Sequence, residues 1–108
     1  MTYGNEEYSI VITTYPDKES AKQAAKLLVG KRLAACVQAF PIESVYFWQG
    51  NVCEDNEITL FIKSRTVLFE KITAAIKQNH SYEVPEIIQI PIADGLPDYL
   101  KWIGDYVC

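Results

Sequence analysis

Apolar and polar positions change period several times along the chain, and each change marks an element. Ser9-Ile10-Val11-Ile12-Thr13-Thr14 is a β-branched run and predicts a strand. Pro16-Asp17 breaks it, with Asp17 suited to cap a helix. From Lys18 to about Lys31, Ala21, Ala24, Ala25, Leu27 and Leu28 form a stripe at helical spacing, with Lys18, Lys22 and Lys26 on the solvated side. Gly30 suits the stop. Ala34 to Phe40 predicts a second strand, which Pro41 interrupts as an edge bulge or bend would and Ser44 to Trp48 resumes. Gln49-Gly50-Asn51 reads as a tight reversal and Glu57 to Lys63 as the returning third strand, so the two strands make one long hairpin. Thr66 is placed to cap a second helix with Leu68, Phe69, Ile72 and Ile76 on one face, ending around Gln78-Asn79. Pro85 to Ile92 is the fourth strand. Gly95-Leu96-Pro97-Asp98 opens a last helix, with Pro97 in its first turn. Leu96, Leu100, Ile103 and Val107 form one stripe of that helix, with Tyr99 beside it and Trp102 and Tyr106 on a neighbouring stripe.

The order is β-α-β-β-α-β followed by a helix. This predicts an α+β fold: a ferredoxin-like βαββαβ sandwich, with an extra C-terminal helix and a long hairpin between the second and third strands. No repeat, linker or low-complexity segment divides the chain, so residues 1–108 are read as a single domain.

Composition narrows the function classes. The formal charge is −4, and the lysines and arginines are scattered, which argues against a nucleic-acid surface. No apolar run is long enough to span a bilayer. Met1 to Tyr8 is polar and acidic and does not read as a signal peptide. Cys36, Cys53 and Cys108 have no paired spacing, so reduced thiols in a cytoplasmic protein are the expectation. Seven tyrosines and two tryptophans are many for a small lone domain, and they fit a subunit interface or a well-filled core about equally.

Candidate chemistry gathers in His80-Ser81-Tyr82-Glu83-Val84-Pro85-Glu86, just ahead of the fourth strand. It holds the only histidine, and Pro85 forces Val84 towards extended geometry, so the cluster is delivered at a fixed point. His80 is a candidate ligand for copper or zinc, against the plainer reading of a histidine favoured at a helix C-terminus. Cys36 is a candidate soft ligand, but its apolar strand favours a buried, inert thiol. Tyr82, Glu83 and Glu86, with Arg32 and Lys63, are candidates to line a cleft between subunits for a small polar ligand or hydrated cation. The competing reading makes them interface hydrogen bonds and ion pairs. Trp48 reads as an interface anchor, and Cys53 and Cys108 as incidental thiols. The chain has no Cys-x-x-Cys, no Gly-rich phosphate loop, no His-Glu-x-x-His and no serine elbow, so it is read as non-enzymatic; an enzyme reading would rest only on Tyr82, Glu83, Glu86 and Lys63 as an acid–base set.

Five segments in order carry a resemblance: Thr13-Thr14-Tyr15-Pro16-Asp17, Lys31-Arg32-Leu33-Ala34-Ala35-Cys36-Val37, Ser44-Val45-Tyr46-Phe47-Trp48-Gln49-Gly50, His80 to Glu86, and Pro97-Asp98-Tyr99-Leu100-Lys101-Trp102-Ile103. Together, from about Ser9 to Ile103, they resemble the CutA family of divalent-cation tolerance proteins. The resemblance implies a protomer similar to PII signalling proteins and a compact homotrimer, cytoplasmic in bacteria, tied to tolerance of copper and other divalent metals. It implies no enzymatic reaction, a divalent metal ion such as copper as the bound species, and Cys36 as the family's Ala-Ala-Cys cysteine. A small-molecule or protein partner in the inter-subunit clefts, as in PII-like signalling, is the alternative. The chain departs from some members at Asn79, where they carry a second histidine, and at Thr13, where they carry a cysteine. Ser81 stands where the family usually has proline.

Overall fold

Strand β1 (Tyr8–Tyr15) organises the sheet, pairing antiparallel with β3 (Asn51–Arg65) on one side and with β4 (Ile87–Pro91) on the other. Strand β2 (Cys36–Trp48) pairs only with β3, giving the order β2-β3-β1-β4. The molecule is described here by a computed structural model covering residues 7–108. The stretch Met1 to Tyr8, read as free of a signal peptide, lies outside the described residues except for Glu7 and Tyr8.

Helices α1 (Lys18–Gly30) and α2 (Phe69–Asn79) contribute to a core against one face of the sheet. Strand alternation sends Val11, Tyr15, Leu60 and Ile62 into that core, where they meet Ala21, Ala24 and Leu28 of α1 and Ile72, Ala75 and Ile76 of α2. This is the ferredoxin-like sandwich that the periodicity predicts. The C-terminal helix α3 (Pro97–Tyr106) opens on Pro97 as expected. Only the far half of its apolar stripe is covered: Ile103 and Val107 are buried, while Leu96 lies in solvent. A Cβ on Gly104 would come within 2.6 Å of the Tyr8 hydroxyl and 2.9 Å of Arg65 Nη2, so a larger residue would push these two side-chain ends aside. Arg65 clamps the contact, donating to the Gly104 carbonyl at 3.0 Å and pairing with Glu7 at 2.7 Å.

Several boundaries differ from the sequence expectation: β2 starts at Cys36 rather than Ala34, and β4 runs from Ile87 to Pro91 rather than from Pro85 to Ile92. Pro41 does not interrupt β2; it pairs with Ile58 inside a continuous ladder. Because β2 is an edge strand, one row of its backbone groups has no ladder partner, and a residue lacking an N–H fits there. Strand β3 begins at Asn51 rather than Glu57, because Cys53 to Asn56 look like a loop by polarity but pair with Glu43 to Tyr46. The turn is therefore Gln49-Gly50 alone, with φ of 49° and 84°, the doubly left-handed geometry that matches strand twist. Gly30 ends α1 inside the helix, and Arg32 takes the left-handed position at φ 61°. Thr66 does not cap α2. It opens a 3-10 turn (Thr66–Leu68), and its hydroxyl is hydrogen-bonded with Ser9 Oγ at 2.5 Å.

Asp17 caps α1 as predicted, accepting from the Ser20 backbone N–H at 2.8 Å and from Ser20 Oγ at 3.0 Å. These bonds hold its carboxyl below the ordinary 3.8. A depressed carboxyl stabilises the fold fully above its unfolded pKa, and that contribution is lost as pH falls through the folded value. Asp17→Ala is accordingly expected to lower the urea midpoint at neutral pH, with the difference from wild type shrinking well below pH 3.8. A difference that holds constant with pH would show that the cap does not act through its charge.

The face of the sheet opposite α1 and α2 is apolar and in large part uncovered. Register places Ile10, Ile12 and Phe61 beside Ile88 and Ile90 of β4 and Phe40 of β2. Phe40, Ile88 and Ile90 are 41%, 47% and 46% exposed. Beyond the body of the sheet, the β2–β3 arm carries Tyr46, Phe47 and Trp48 into solvent.

Candidate functional site

The site begins where α2 ends. His80 leaves the helix with extended backbone (φ −95°, ψ 136°), and its ring turns back over β1. It stacks on Tyr15 at 4.3 Å between centroids and meets Tyr82 at 4.7 Å. Its Nδ1 accepts from the Tyr82 backbone N–H at 3.1 Å. That acceptor role puts the ring proton on Nε2, which donates to the Thr14 carbonyl at 2.5 Å. Both ring nitrogens are engaged in tying the loop to the end of β1. Below them, Tyr15 donates to Asn79 Oδ1 at 2.8 Å, and burial pushes its hydroxyl up to about 12.

Two tyrosine–carboxylate pairs continue the site along β3. Tyr82 donates to Glu57 Oε2 at 2.7 Å, and burial first, then this bond, raise its hydroxyl well above 10.0. Tyr46 donates to Asp55, and that bond is the main reason its hydroxyl rises to about 12. Between the arm and the Ser81–Glu86 loop lies an open cleft of about 790 Å³. Glu43, Tyr46 and Trp48 form the arm side, Tyr82, Glu83 and Glu86 the loop side, and Thr14 and Glu57 also border it.

The residues expected at this site separate into two groups. Tyr82, Glu83 and Glu86 do line one cleft, next to His80. Within one chain, Arg32 and Lys63 do not join them. Arg32 donates from Nε to the Tyr106 carbonyl at 2.8 Å and lies 5.0 Å over the Tyr106 ring. Lys63 lies 5.3 Å over the Tyr99 ring and donates to its hydroxyl at 3.3 Å. Both cations are drawn to α3 by aromatic rings, the exposed Tyr99 and the partly buried Tyr106, that the sequence placed there but did not pair with them. Cys36 is half-buried rather than fully buried, and it pairs with Lys63. Thr14, whose carbonyl His80 holds, pairs with Thr59, so Cys36 sits about 13 Å further along the sheet. Thr13, the position of interest in the family, faces the helices. It is wholly buried, and its hydroxyl has no hydrogen-bond partner among the described residues. Cys53 is half-buried and Cys108 exposed, and both are free thiols. Among the described residues, no three His, Cys, Asp or Glu side chains converge on a metal position.

Sequence reasoning missed Glu57, Tyr46, Asp55 and Glu43. The signal was present in the register: a two-residue turn at Gln49-Gly50 sets Glu57 opposite Ile42, on the same face as Thr59 and Thr14.

The profile of the family described as "CutA1 divalent ion tolerance protein" matches residues 9–106. The chain belongs to the CutA1 family. It is 46% identical over 97 residues to the "Divalent-cation tolerance protein CutA" of Thermus thermophilus, covering 89% of this chain and 94% of that one. It is 45% identical to "Protein CutA 1, chloroplastic" of Oryza sativa subsp. japonica, covering 87% of this chain but only 54% of that longer protein. Among solved structures, the Thermus thermophilus Cut A1 protein superposes with a TM-score of 0.91 at 43% identity, over 94% of this chain and 99% of that one. A structure described as the periplasmic divalent cation tolerance protein CutA of Archaeoglobus fulgidus gives 0.90 at 37% identity, over 92% and 97%. CutA relatives thus carry chloroplastic and periplasmic descriptions, and the family's name is not that of an enzyme. No helix among the described residues is long and apolar enough to cross a membrane.

Proposed function

We propose that this chain acts in tolerance of divalent metal ions, copper among them, as a cytoplasmic homotrimer that binds metal weakly. The observation that carries the reading is the family match across residues 9–106, together with relatives named for divalent-cation tolerance. The uncovered sheet face and the aromatic arm support the trimer, since closed threefold symmetry would bury both without open-ended polymerisation. The donors of one chain do not fit a resident metal centre. Metal contact at His80 would exchange an existing hydrogen bond for a metal bond, and Cys36 is too distant to help within the same chain, so the proposed binding is weak and transient.

Disrupting the gene is expected to lower the copper concentration at which growth stops, with the intact gene restoring it. Growth unaffected by copper, zinc and cobalt alike would overturn the reading. A second reading, a PII-like trimer that binds a small molecule, is favoured by one observation: the cleft beside Tyr82 is roomy enough for one.

A further inference from the structure

We propose that His80 is a positioning residue and not a metal ligand: its ring is a latch that fixes the Ser81–Glu86 loop against β1. The proposal rests on the metal reading above only in asking where weak binding occurs, and it sets that binding away from His80.

The ring has no free coordinating atom. A neutral imidazole offers a metal one lone pair, on the nitrogen that carries no proton. Here that nitrogen is Nδ1, and it accepts the Tyr82 backbone N–H at 3.1 Å. The protonated Nε2 is committed to the Thr14 carbonyl. Turning the ring over would set carbon atoms where both bonds now lie, so a flip frees nothing useful. The faces are held as well, stacked on Tyr15 and tilted against Tyr82. The neighbouring oxygens are already bonded: Asn79 Oδ1 accepts from Tyr15, and Glu57 Oε2 accepts from Tyr82. A metal at Nδ1 would strand the Tyr82 N–H, and one at Nε2 would strand the Thr14 carbonyl. Every one of these contacts is made within one chain, so none depends on a neighbouring subunit.

The same contacts define what the ring does. At the end of α2 the backbone of His80 is extended, and Nδ1 accepts from the N–H two residues on. Asn and Asp side chains close turns in this way. The turn delivers the Tyr82 hydroxyl to Glu57 and so sets the loop that lines the cleft, while Nε2 ties the whole turn to β1.

The test uses the full-length protein. His80 is the only histidine, so its ring gives one set of nitrogen signals by NMR. The signals are expected to report the Nε2–H tautomer and to stay in place when zinc is added. His80→Asn separates latch from ligand, because an amide oxygen can accept the Tyr82 N–H but is a poor substitute for imidazole on zinc or copper. The Tyr82 amide is expected to exchange with solvent at least about tenfold faster in His80→Ala, and His80→Asn is expected to recover most of that protection. Calorimetric Kd values of His80→Asn for zinc and copper(II) are expected within about threefold of wild type. Movement of a ring nitrogen signal on zinc addition would overturn the proposal. So would a loss of about tenfold or more in metal affinity in His80→Asn, or equal Tyr82 exchange in wild type and His80→Ala. If His80→Ala fails to fold, the ring tautomer and His80→Asn carry the test. None of these results changes growth in copper, so the two readings fall separately.

Discussion

Ile88→Asp is expected to leave this protein folded but monomeric. In the single chain Ile88 is 47% exposed on the uncovered sheet face, on β4, which is an edge strand. A carboxylate there can keep its water, so the fold loses little. On the proposed threefold assembly the same side chain would be sealed among Ile12, Ile90 and the equivalent residues of the other subunits. Burying an unpaired charge costs several kcal/mol, and three copies would incur it together. Light scattering should therefore give about three times 12.3 kDa for wild type and 12.3 kDa for the variant, with circular dichroism unchanged. A variant that keeps the threefold mass would place the interface elsewhere. A wild type of 12.3 kDa would remove the trimer altogether.

His80→Ala is expected to destabilise the subunit by about 3 kcal/mol. The substitution strands two backbone groups, the Thr14 carbonyl and the Tyr82 N–H, each worth about 1–3 kcal/mol when left unpaired in a covered site. It also removes ring contacts with Tyr15 and Tyr82, worth about 0.5–1.5 kcal/mol each. His80 is only half-buried, so water recovers part of the sum. Urea unfolding at one fixed protein concentration measures the loss, because the proposed assembly would make stability concentration-dependent. A change below about 0.5 kcal/mol would mean that the histidine is spare and free to act as a ligand. Copper titration of the same variant reads the other side of the question: affinity should fall if His80 contributes to metal contact.

The sandwich was legible because burial imposes a period. Val11 and Ile62, or Ile72 and Ile76, fall at the spacings their elements require, and the sheet and helices follow. The arm was less legible because it has no buried side in one chain. Cys53 to Asn56 and Pro41 carry no inside–outside pattern, so they read as loop and break, and only backbone pairing reveals them as strand. The same cause hid the far wall of the cleft. Tyr82, Glu83 and Glu86 stood out as neighbours in sequence, whereas Glu57 and Tyr46 reach them through register. Within one chain Arg32, in the turn after α1, and Lys63, on β3, contact Tyr106 and Tyr99 of α3, pairings that the docking of α3 decides and the strand pattern does not show.

The Gln49-Gly50 turn also bears on how the chain finds its fold. It closes the longest ladder of the sheet, from Trp48 opposite Asn51 to Cys36 opposite Lys63, with the shortest possible loop. Pairing of β1 with β4 instead joins Ser9 to Pro91, across most of the described chain. Loop-closure entropy rises with the length enclosed, so the two halves of one sheet are very unequal in what they cost to assemble. The hairpin can zip on the microsecond scale typical of such units, while the β1–β4 contact waits for almost everything between to be ordered. The arm is thus the earliest segment able to acquire structure and, lacking a covered face of its own, the one that stays exposed longest. Until the assembly proposed above forms, its aromatic tip is the apolar surface left in water.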